Sequence, residues 1–588
     1  MNFSEYKVRH SADICVVGGG LSGLYAAVSA ARHGSKVLLM QDRPMLGGNA
    51  SSEIRMWVRG ATMASKEYRE TGLIMDTEME NIYRNPTMNY SIWDSVLYQL
   101  AANEPNLTLL LNTSCLGVEM AEGKIASVTG WQLNSYTFHT VEAKLFIDAS
   151  GDSILAPLSG AKFRMGREDK DEFDEYGASD TADTGTMGSS VLIQARQTDH
   201  PCPFIKPEWA HTYPDDESMY LKNHDVIGTG VNFWWIELGG EPETDTIRDA
   251  QAINEELLRV AYGVWDHIKN QGDHGMENWE LEWIGFLPGK RESRRYEGAY
   301  ILNQRDLEEG HTFQDAVAFG GWTMDNHNPK GFKFMGYSSH HIKPKAPYQI
   351  PFRSLYSADV PNLMFAGRNI SATHMAMSST RVMATCSVIG QACGTGAAVA
   401  VKYGCLPDEV TEKHMAELQS MLLEDGCFIP GMNRMPTGLA HTDLPAEDEA
   451  VLNNGWERMW DGESNTVAIA DGGSLTIRFD QPCAALRLAL DPDFSRESIS
   501  DDKRYQKFAM RSHIDWPEKK VSMPANLMRA CTVTAVNAQG RETVIPVENN
   551  RRVVLHIALP EDTVSVCLAG LTSWGGEAVR LFSADAAR

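Results

Sequence analysis

An apolar run followed by regularly spaced glycines forms the first unit that the pattern of the chain defines. The run Ile14 to Val17 leads into Gly18, Gly20 and Gly23 at the spacing G-x-G-x-x-G, a helical pattern follows, and Val37 to Met40 is a second apolar run. Continuous apolar runs are typical of strands buried on both faces of a parallel sheet. The glycines allow a tight turn and a close approach of the backbone to a pyrophosphate. The pattern therefore predicts a strand–turn–helix–strand unit that binds a dinucleotide.

The position after the second apolar run decides how the ribose is held. Proteins with this motif commonly carry an acid there, which accepts hydrogen bonds from the ribose hydroxyls. This chain has Gln41, with Asp42 beside it. Two interpretations stay open: Gln41 hydrogen-bonds the hydroxyl pair, or Asp42 turns inward to do so.

Beyond this unit, helical and strand periods alternate. Residues 67–81 and 91–98 have helical spacing, 107–112 reads as a strand, and short apolar runs from 117 to 147 predict a small meander. Residues 249–270 carry apolar side chains at helical spacing and predict a further helix. This part of the chain is therefore expected to be mixed α/β.

The chain changes character after a segment rich in Pro, Gly and Asp at 430–449. Short apolar runs then alternate with turns, a spacing that favours a β-sandwich. The segment 453–462 together with the later strands resembles the jelly-roll modules that accompany carbohydrate enzymes. The tryptophans of this region could stack on sugars, or they could form core or subunit contacts. The strands are predicted at 474–479, 485–490, 531–536, 553–557 and 564–568, and the tryptophans are Trp456, Trp460, Trp516 and Trp574.

Charge and composition restrict the partners. The chain has 588 residues, 78 of them acidic and 53 basic, a net charge of −25, and 43% are hydrophobic. An acidic surface argues against nucleic acid and anionic membranes as partners. The first residues lack the apolar core of a signal peptide, and no later stretch has about 18 uninterrupted apolar residues. We expect a cytoplasmic protein without membrane contact, and a homo-oligomer on general grounds.

Cysteine and histidine spacing gives no metal motif. The ten cysteines are scattered and include no C-x-x-C pair, so iron–sulfur clusters, structural zinc and a disulfide framework are not expected. His340 and His341 are adjacent, and neighbours on a strand point to opposite faces, which makes them a poor ligand pair. One of them could face a cofactor. We expect no metal site.

Three further segments carry a family resemblance. Residues 43–53 contain a second glycine pair, residues 145–152 read LFIDASGD, and residues 360–369 read VPNLMFAGRN. With the first glycine motif, they resemble the FAD-dependent oxidoreductases of the glutathione-reductase-like superfamily, and more closely a bacterial subfamily with the loop QDRP-x-LGGN-x-SSE. Many relatives have Gly-Asp where this chain has Gly367-Arg368. The resemblance covers roughly residues 13 to 402 and implies FAD as the cofactor. Because no cysteine lies in a peptide resembling a covalent flavin link, we expect FAD held without a covalent bond. The residues that it assigns to FAD are Gly18, Gly20, Leu21, Ser22, Gly23, Gln41, Asp42, Arg43, Gly47, Gly48, Asn49, Ala50, Ser51, Ala149, Gly151, Gly367, Arg368 and Asn369.

The catalytic candidates lie in two polar segments. In the resembled family, the segment at 370–381 passes the pyrimidine side of the flavin, and reduced flavin carries negative charge near N1. A helix N-terminus or Arg381 would stabilise that charge. His374 is then placed to donate or accept a proton, since histidine titrates near neutrality. His327 is the second candidate; it lies in a turn-rich loop where Trp322 could stack on a sugar ring, and its alternative role is that of a solvated bystander.

Other basic side chains leave two interpretations each. The cluster at 285–295 could hold an anionic or polyhydroxylated substrate or the cofactor phosphates, or it could pair with the many acids. Arg55 and Arg59 could contact flavin or substrate, or pair with the acid-rich helix at 67–81.

These observations predict an α/β fold. A Rossmann-like FAD-binding domain carries an inserted α+β substrate domain, and an all-β sandwich follows at the C-terminus. The boundaries are 1–160 for the first part of the FAD-binding domain, 161–348 for the substrate domain, 349–425 for the return of the FAD-binding domain, 426–449 for a linker and 450–588 for the sandwich.

The expected function is that of an FAD-dependent oxidoreductase acting on a small polar substrate. We expect oxidation of a secondary hydroxyl of a sugar or glycoside, with hydride transfer to flavin N5 and a histidine that takes the proton. The sequence leaves the electron acceptor undefined. Three alternatives stay open: fumarate-reductase-like reduction of an activated alkene, redox-neutral glycoside cleavage with transient flavin reduction, and a carbohydrate-binding protein with structural FAD.

Overall fold

The computed structural model describes residues 6–224, 232–494, 496 and 522–587, so Trp516 lies outside the described residues. Within them the chain forms two units. The first comprises residues 6–64 and 88–415, and the second comprises residues 65–87 and the described residues after 415. Residues 65–87, which the sequence assigns to the FAD-binding domain, thus belong to the C-terminal unit. Residues 161–348 form one unit with the cofactor domain.

Helices and strands alternate along the first unit, as its hydrophobic pattern predicts for an α/β fold. The helices of the described chain are α1 (Leu21–Arg32), α2 (Leu73–Arg84), α3 (Tyr90–Ala102), α4 (Leu155–Ser159), α5 (Ala250–Asn270), α6 (Gln304–Glu309), α7 (His374–Thr380), α8 (Met383–Tyr403), α9 (Pro407–Glu409), α10 (Met415–Glu424) and α11 (Ala446–Leu452). The strands of the first unit are β1 (Lys7–Val17), β2 (Val37–Met40), β3 (Leu107–Leu110), β4 (Thr113–Ala121), β5 (Lys124–Gln132), β6 (Thr137–Asp148), β7 (Phe163–Arg164), β8 (Ser189–Gln197), β9 (Asn232–Leu238), β10 (Trp279–Ile284), β11 (Gly289–Lys290), β12 (Arg295–Tyr296), β13 (Ala316–Gly320), β14 (Met324–His327), β15 (Ser339–Ile342), β16 (Tyr348–Pro351) and β17 (Leu363–Phe365).

The central sheet brings three polar turns to one edge. Its parallel part has the order β3-β2-β1-β6, and β17 pairs with the C-terminal end of β6. Asp148, at the end of β6, is in register with Val17 of β1 and Phe365 of β17. Ligands of parallel sheets bind beyond the carboxyl ends of the strands. The glycine turn after β1, the turn after β6 and Gly367 after β17 therefore meet where a ligand is expected.

Helix α8 packs closely on α1 because its contact face is made of glycine. A Cβ at Gly390 would lie 2.1 Å from the carbonyl oxygen of Ser22, and one at Gly394 would lie 2.1 Å from that of Ala26. Helix α8 is long and apolar enough to cross a membrane, but 94% of its most apolar window is buried inside the protein. It is therefore a core helix of this unit.

The first unit also contains an antiparallel sheet around β8 and a separate hairpin. Strands β10, β8 and β11 form an antiparallel sheet, with β9 paired to β8. Helix α5, which the sequence predicts at 249–270, packs into the core beside it through Leu257, Ala261, Val264 and Ile268, all almost fully buried at helical spacing. Strands β14 and β15 form a separate antiparallel hairpin.

The second unit is an antiparallel sheet. Two pairs of predicted strands are in fact single long strands: 474–479 and 485–490 lie in one, and 553–557 and 564–568 lie in another. The long strands stay continuous because they pair with each other, and a register shift between Arg478 and Cys483 takes up the polar residues between them. The strands are β18 (Ala440–Thr442), β19 (Met459–Trp460), β20 (Glu463–Ser464), β21 (Val467–Ala470), β22 (Gly473–Leu490), β23 (Met528–Asn537), β24 (Glu542–Val547), β25 (Val554–Ser573) and β26 (Ala578–Ala586).

The three described tryptophans of this unit pack on neighbouring side chains. The rings of Trp456 and Trp460 are 6.1 Å apart, and Trp460 lies 5.3 Å from Tyr68. Trp574 contacts Tyr83 at 5.6 Å and donates its Nε1–H to the carbonyl oxygen of Asn550. Their role in sugar stacking stays a prediction.

The predicted fold class is confirmed. The chain combines a Rossmann-like, largely parallel sheet with further antiparallel sheets and a C-terminal all-β sheet. The sequence predicted the fold class because a period of 2 or 3.6 residues records which faces are buried. Hydrogen bonds join β21-β26-β22-β25-β23-β24 and β18 into one sheet, and the sandwich arrangement stays a prediction.

Candidate active site

The glycines of the first turn have different surroundings: Gly18 and Gly23 are closely packed, whereas Gly20 borders open space. Gly18 has φ +105°, and a Cβ on it would lie 2.4 Å from the carbonyl oxygen of Ala149. A Cβ on Gly23 would lie 1.8 Å from the carbonyl oxygen of Gly18. Gly20 has an ordinary φ of −60°, and its Cβ would come no closer than 3.9 Å to Gly48. The space beside Gly20, at the N-terminus of α1, is therefore open to a ligand, and a helix N-terminus favours phosphate.

Gln41 joins the two glycine loops. Its Oε1 accepts a hydrogen bond of 2.7 Å from the N–H of Gly19, and its Nε2 donates at 3.0 Å to the carbonyl oxygen of Met45. The N–H of Gly47 also donates to Gly19, at 2.8 Å. Asp42 is largely exposed and lies 3.7 Å from Arg43. Gln41 thus fixes the loops whichever residue contacts the ribose, and both ribose interpretations stay predictions.

The rest of the second glycine loop is held by hydrogen bonds to its surroundings. Asn49 donates its Nδ2 to the carbonyl oxygen of Lys290, and Ala50 accepts from Trp93 Nε1 at 2.9 Å. Ser51 donates back to the carbonyl oxygen of Gly48 at 2.7 Å. These bonds fix the course of the loop and leave its glycines facing the turn after β1.

The turn after β6 is built on two aspartates with different surroundings. Asp148 is fully buried and accepts hydrogen bonds from Ser150, Leu155 and Tyr296, and burial raises its pKa. Asp152 pairs with Arg368 and Lys290 at 2.6 Å each; burial opposes its ionisation, but these two cations lower its pKa. Arg368, which replaces the aspartate of many relatives, therefore neutralises an acid of the neighbouring turn.

The basic cluster is largely paired with acids. Besides the contact of Lys290 with Asp152, Arg291 lies 3.3 Å from Glu237, and Arg295 lies 2.7 Å from Glu168. Of the two interpretations for this cluster, acid pairing is the one that the geometry shows for these three side chains.

Arg55 makes aromatic and amide contacts. Its guanidinium lies 4.7 Å from the ring centre of Tyr90 and 4.4 Å from that of Trp283, and it donates to Gln194 at 2.9 Å. Burial lowers the pKa of Arg55. These contacts hold the charged side chain just after the second glycine loop.

Polar atoms without partners line the strand edge where the three turns meet. A Cβ on Gly367 would lie 3.5 Å from Ser22 Oγ and 3.7 Å from Asn369 Oδ1. Both atoms are buried, and neither has a hydrogen-bond partner within the described chain. Together with the open space at Gly20, this arrangement fits a phosphate-bearing dinucleotide, which would supply the missing partners.

His374 is held between an acid and an amide at the start of α7. Its Nδ1 lies 3.0 Å from Glu292 Oε1, and its Nε2 lies 2.9 Å from Asn326 Oδ1. Its backbone N–H donates to Glu168, and the side chain is buried. An amide can turn either its oxygen or its nitrogen toward Nε2. The site can therefore hold His374 in the protonated or the neutral form.

His327 lies in strand β14 and not in a loop, because residues 324–327 pair with residues 339–342. Its Nδ1 is 2.7 Å from Glu237 Oε2, and its Nε2 is 3.2 Å from Asp325 Oδ2. It is buried, so the bystander interpretation is wrong. A carboxylate at each ring nitrogen favours the imidazolium form.

The pKa directions agree with this geometry. Burial would lower the pKa of His327, but Glu237 and Asp325 raise it above 6.5. Burial also works against the charge of Glu237, yet Arg291 and His327 bring the pKa of this carboxyl to about 2. Asp325 likewise has a lowered pKa, since His327 and Arg381 outweigh its burial. The surroundings of His327 therefore favour its cationic form, whereas His374 has a neutral amide on one side.

Arg381 contacts Asp325, one of the two acids that hold His327. Its Nη2 lies 3.2 Å from the carbonyl oxygen of Asp325 and 3.5 Å from Asp325 Oδ2. Its Nε, Asp325 Oδ1, Thr380 Oγ1 and Trp322 Nε1 are buried and have no hydrogen-bond partner among the described residues. His341 reaches the same carboxylate, with Nε2 at 3.6 Å from Asp325 Oδ1. The segments around 325 and 381 thus form one polar site.

Sequence reasoning missed the acids that control these histidines. Glu237 lies in an otherwise apolar strand, and an acid at a buried strand position is a signal that could have found it. Glu292 lies inside the basic cluster, where the surrounding charges conceal it. Asn326 is adjacent to His327 but faces the other side of β14, toward His374. No spacing along the chain links Glu292 to His374.

The charge of His327 predicts a pH-dependent stability. Because its folded pKa is raised above the unfolded value of about 6.5, its ion pairs contribute fully below that pH. Their contribution to the free energy of unfolding is lost as the pH rises through the folded pKa. We expect His327→Gln to be less stable than the wild type at pH 6, with the difference shrinking toward pH 9. Thermal unfolding followed by circular dichroism across this range measures the difference.

His200→Gln is the control for the pH series, since His200 is largely exposed. It should unfold like the wild type at each pH. A stability difference between wild type and His327→Gln that stays constant from pH 6 to pH 9 would contradict the assignment of His327 as a cation.

The chain is similar to known proteins in both sequence and fold. A family model described as FAD dependent oxidoreductase matches residues 13–422. No curated protein matches the sequence. Similar solved structures include a geranylgeranyl bacteriochlorophyll reductase-like protein from Thermoplasma acidophilum, 14% identical over 71% of this chain and 84% of that one, with TM-score 0.32. Others are p-nitrophenol 4-monooxygenase from Pseudomonas putida (11% identity, 71% and 86% covered, TM-score 0.31) and a variant of the E. coli quinol fumarate reductase FrdA (12% identity, 71% and 75% covered, TM-score 0.28). These likenesses are remote and add nothing to the functional conclusion.

Proposed function

Because the chain belongs to the FAD dependent oxidoreductase family, we propose that it oxidises a secondary hydroxyl of a small polyhydroxylated substrate, a sugar or glycoside. FAD is the cofactor, and the residues around Gly20, Gln41, Gly48 and Gly367 would hold it. When bound, FAD supplies the acceptor for the hydride that leaves the hydroxyl-bearing carbon. The remaining task of the protein is to take the hydroxyl proton and to orient the substrate.

The surroundings of His374 support the proton-transfer role. Glu292 accepts the Nδ1–H and fixes the tautomer, so that Nε2 is the atom that exchanges a proton. Asn326 is the partner at Nε2, and its neutral amide fits either protonation state. A substrate hydroxyl that replaced the amide at Nε2 would give its proton to the ring. The position of His374 between Glu292 and Asn326 is the observation that carries the proposal.

His327 and Arg381 have a different part. His327 is held between Glu237 and Asp325 and keeps its proton, so it is unsuited to act as a base. Arg381 brings a second cation to Asp325. Arg291 lies beside Glu237, so three cations face the two carboxylates, and the excess positive charge would stabilise negative charge that develops on substrate or cofactor.

The unpaired polar atoms support a hydroxylated substrate. Four buried atoms of this site have no hydrogen-bond partner among the described residues. Trp322 Nε1 and Arg381 Nε can donate a hydrogen bond, Asp325 Oδ1 can accept one, and the hydroxyl of Thr380 can do both. Buried polar groups normally have partners, and the hydroxyls of a ligand that reached these atoms would supply them. The ring of Trp322 adds an apolar face of the kind on which sugars stack.

Reduction of an activated alkene is the second candidate. Both ring nitrogens of His374 face oxygen atoms, Glu292 and Asn326 Oδ1, and this orientation of the amide suits a protonated ring. A protonated His374 would donate a proton to the substrate carbon in a reduction. The same residue thus acts as acid or base according to the direction of the reaction.

The test is an anaerobic absorbance titration of the FAD-loaded protein with a panel of sugars, glycosides and polyols. We expect one class of compound to bleach the flavin absorbance stably, while the His374→Gln variant is bleached much more slowly. Chemically reduced protein is tested in parallel for reoxidation by activated alkenes.

Each outcome separates the candidates. Stable bleaching by a hydroxylated compound supports the oxidation. Reoxidation by an alkene without any bleaching overturns it in favour of the reductase. Glycoside hydrolysis without net bleaching favours redox-neutral cleavage, and binding without any change of the flavin overturns an enzymatic role.

A further inference from the structure

Three histidines from separate parts of the first unit converge outside the candidate active site. His267 lies in the last turn of α5, and His274 lies in the loop that follows this helix. His224 lies in a loop that precedes α5 in the chain. Their ring centres are 5.2, 4.5 and 5.0 Å apart. One ring nitrogen of each lies within 4.8 Å of the other two. Their positions in the sequence give no motif, so the fold alone brings them together.

The hydrogen bonds of the rings leave nitrogen atoms free for a ligand. His267 Nδ1 is 2.7 Å from the carbonyl oxygen of Tyr213, and His224 Nδ1 is 3.1 Å from that of Lys222. A carbonyl only accepts, so each Nδ1 carries a proton, and in the neutral ring each Nε2 carries a lone pair. His274 hydrogen-bonds the backbone of Gln271. An imidazole held in this way by a carbonyl is prepared to bind a metal through its other nitrogen.

The strongest single observation is the Nε2 atom of His267. It is buried, and it has no hydrogen-bond partner among the described residues. The nearest acidic atom is Asp216 Oδ1 at 3.4 Å, so packing of the rings alone leaves this buried nitrogen without a well-formed hydrogen bond. A cation at the centre of the cluster would accept this lone pair together with those of the other two rings.

A carboxylate faces the same point. Asp216 Oδ1 lies 3.4 Å from His267 Nε2 and 3.7 Å from His224 Nε2. Its side chain is 60% exposed, so it can approach the cluster without breaking a packed contact. Three imidazoles and one carboxylate make up a complete tetrahedral donor set.

We propose that His224, His267 and His274 bind one Zn²⁺ ion, with Asp216 as the fourth ligand. Neutral imidazole and carboxylate are ligands that Zn²⁺ accepts in four-coordinate sites, at distances of about 2.0–2.2 Å. Tetrahedral coordination needs ligand atoms about 3.4 Å apart, so the rings close in when the ion binds. His224 and His274 lie outside helices and can make this adjustment.

The proposed ion has a structural role. It ties the C-terminal end of α5 to the loops that carry Asp216, His224 and His274. A ligand that binds the folded state raises its stability as its concentration exceeds the dissociation constant. The site therefore holds together the region of the chain that packs on β8, and it is independent of the proposed oxidation.

The test uses the FAD-loaded protein after chelator treatment and dialysis. We expect equilibrium dialysis against Zn²⁺ to give one zinc per chain, a higher unfolding temperature with zinc, and a zinc-edge X-ray absorption spectrum with imidazole ligands and no sulfur. His274→Gln should lower zinc affinity by at least about 100-fold, because losing a ligand costs more than losing an outer-shell partner. Asp216→Asn should weaken binding less.

The controls separate zinc loss from misfolding. His200→Gln, at a largely exposed histidine of the same unit, should bind zinc like the wild type. Retained FAD and unchanged circular dichroism show that a variant is folded, and the exposed Asp216 provides a variant that does not disturb packing. The proposal is overturned if the wild type takes up no zinc, if the spectrum shows sulfur ligands, or if folded His274→Gln and Asp216→Asn both bind zinc as the wild type does.

Discussion

Gly20→Val is expected to remove the bound FAD and to leave the fold in place. The backbone of Gly20 has an ordinary conformation, and the nearest atom to an added Cβ is 3.9 Å away, so valine meets no neighbouring protein atom at its Cβ. The valine methyl groups would instead enter the space at the N-terminus of α1, where the pyrophosphate approaches the backbone. Because the valine would clash with the ligand and not with the protein, this variant should lose FAD without unfolding.

The measurement is the ratio of flavin to protein absorbance after gel filtration, together with the circular dichroism of the apoprotein. We expect the ratio to fall below about one tenth of the wild-type value, a loss of more than about 1.4 kcal/mol of binding free energy. Gly117→Val is the matched control, because its Cβ would also have open space, with Thr129 at 3.9 Å, but it lies in β4 away from the turn. Wild-type flavin content in Gly20→Val would show that the cofactor does not lie at this turn.

His374→Gln is expected to lower kcat by about 10²–10⁴-fold, the contribution typical of a general acid or base. Glutamine can keep a hydrogen bond to Glu292 or Asn326, but it cannot exchange a proton near neutral pH. Because the change removes proton transfer and keeps the polar contacts, KM and flavin content should change little.

His340→Gln is the matched control for this variant. His340 lies on β15, in register with Asn326 of β14, and its side chain is exposed. It should keep wild-type kinetics. Wild-type turnover in His374→Gln would refute the proton-transfer role, while equal losses in both variants would indicate damage to the hairpin.

The cofactor half of the site could be predicted from the sequence because its determinants are local. Gly23 packs on the carbonyl oxygen of Gly18 within the same turn, and the positive φ of Gly18 belongs to the turn itself, so the spacing of these glycines identifies the motif. Helix α5 was predicted almost to the residue, since apolar side chains recur at helical spacing along it. Family membership then gave FAD.

Other local predictions failed where pairing extends over long distances. The polar residues near Asp480 favour a break in the strand. Strand β22 nevertheless continues past them, because it pairs with β25 both before and after these residues. His327 was predicted in a loop because Asn, Gly and Pro surround it, but its pairing with residues 339–342 makes it part of a strand. The turn preference of these residues is outweighed by hydrogen bonds to a partner strand that lies elsewhere in the sequence.

By itself, the sequence determined the α/β class, the glycine turns, the FAD cofactor and the two histidines worth examining. Only the tertiary structure decided what each histidine can do, because protonation depends on neighbours that come from distant parts of the chain. Glu237 and Asp325 hold His327 as a cation, whereas Glu292 and Asn326 let His374 take or give a proton. The same reason applies to His224, His267 and His274: a metal-ligand set is defined by distances between atoms, and no spacing along this chain records them.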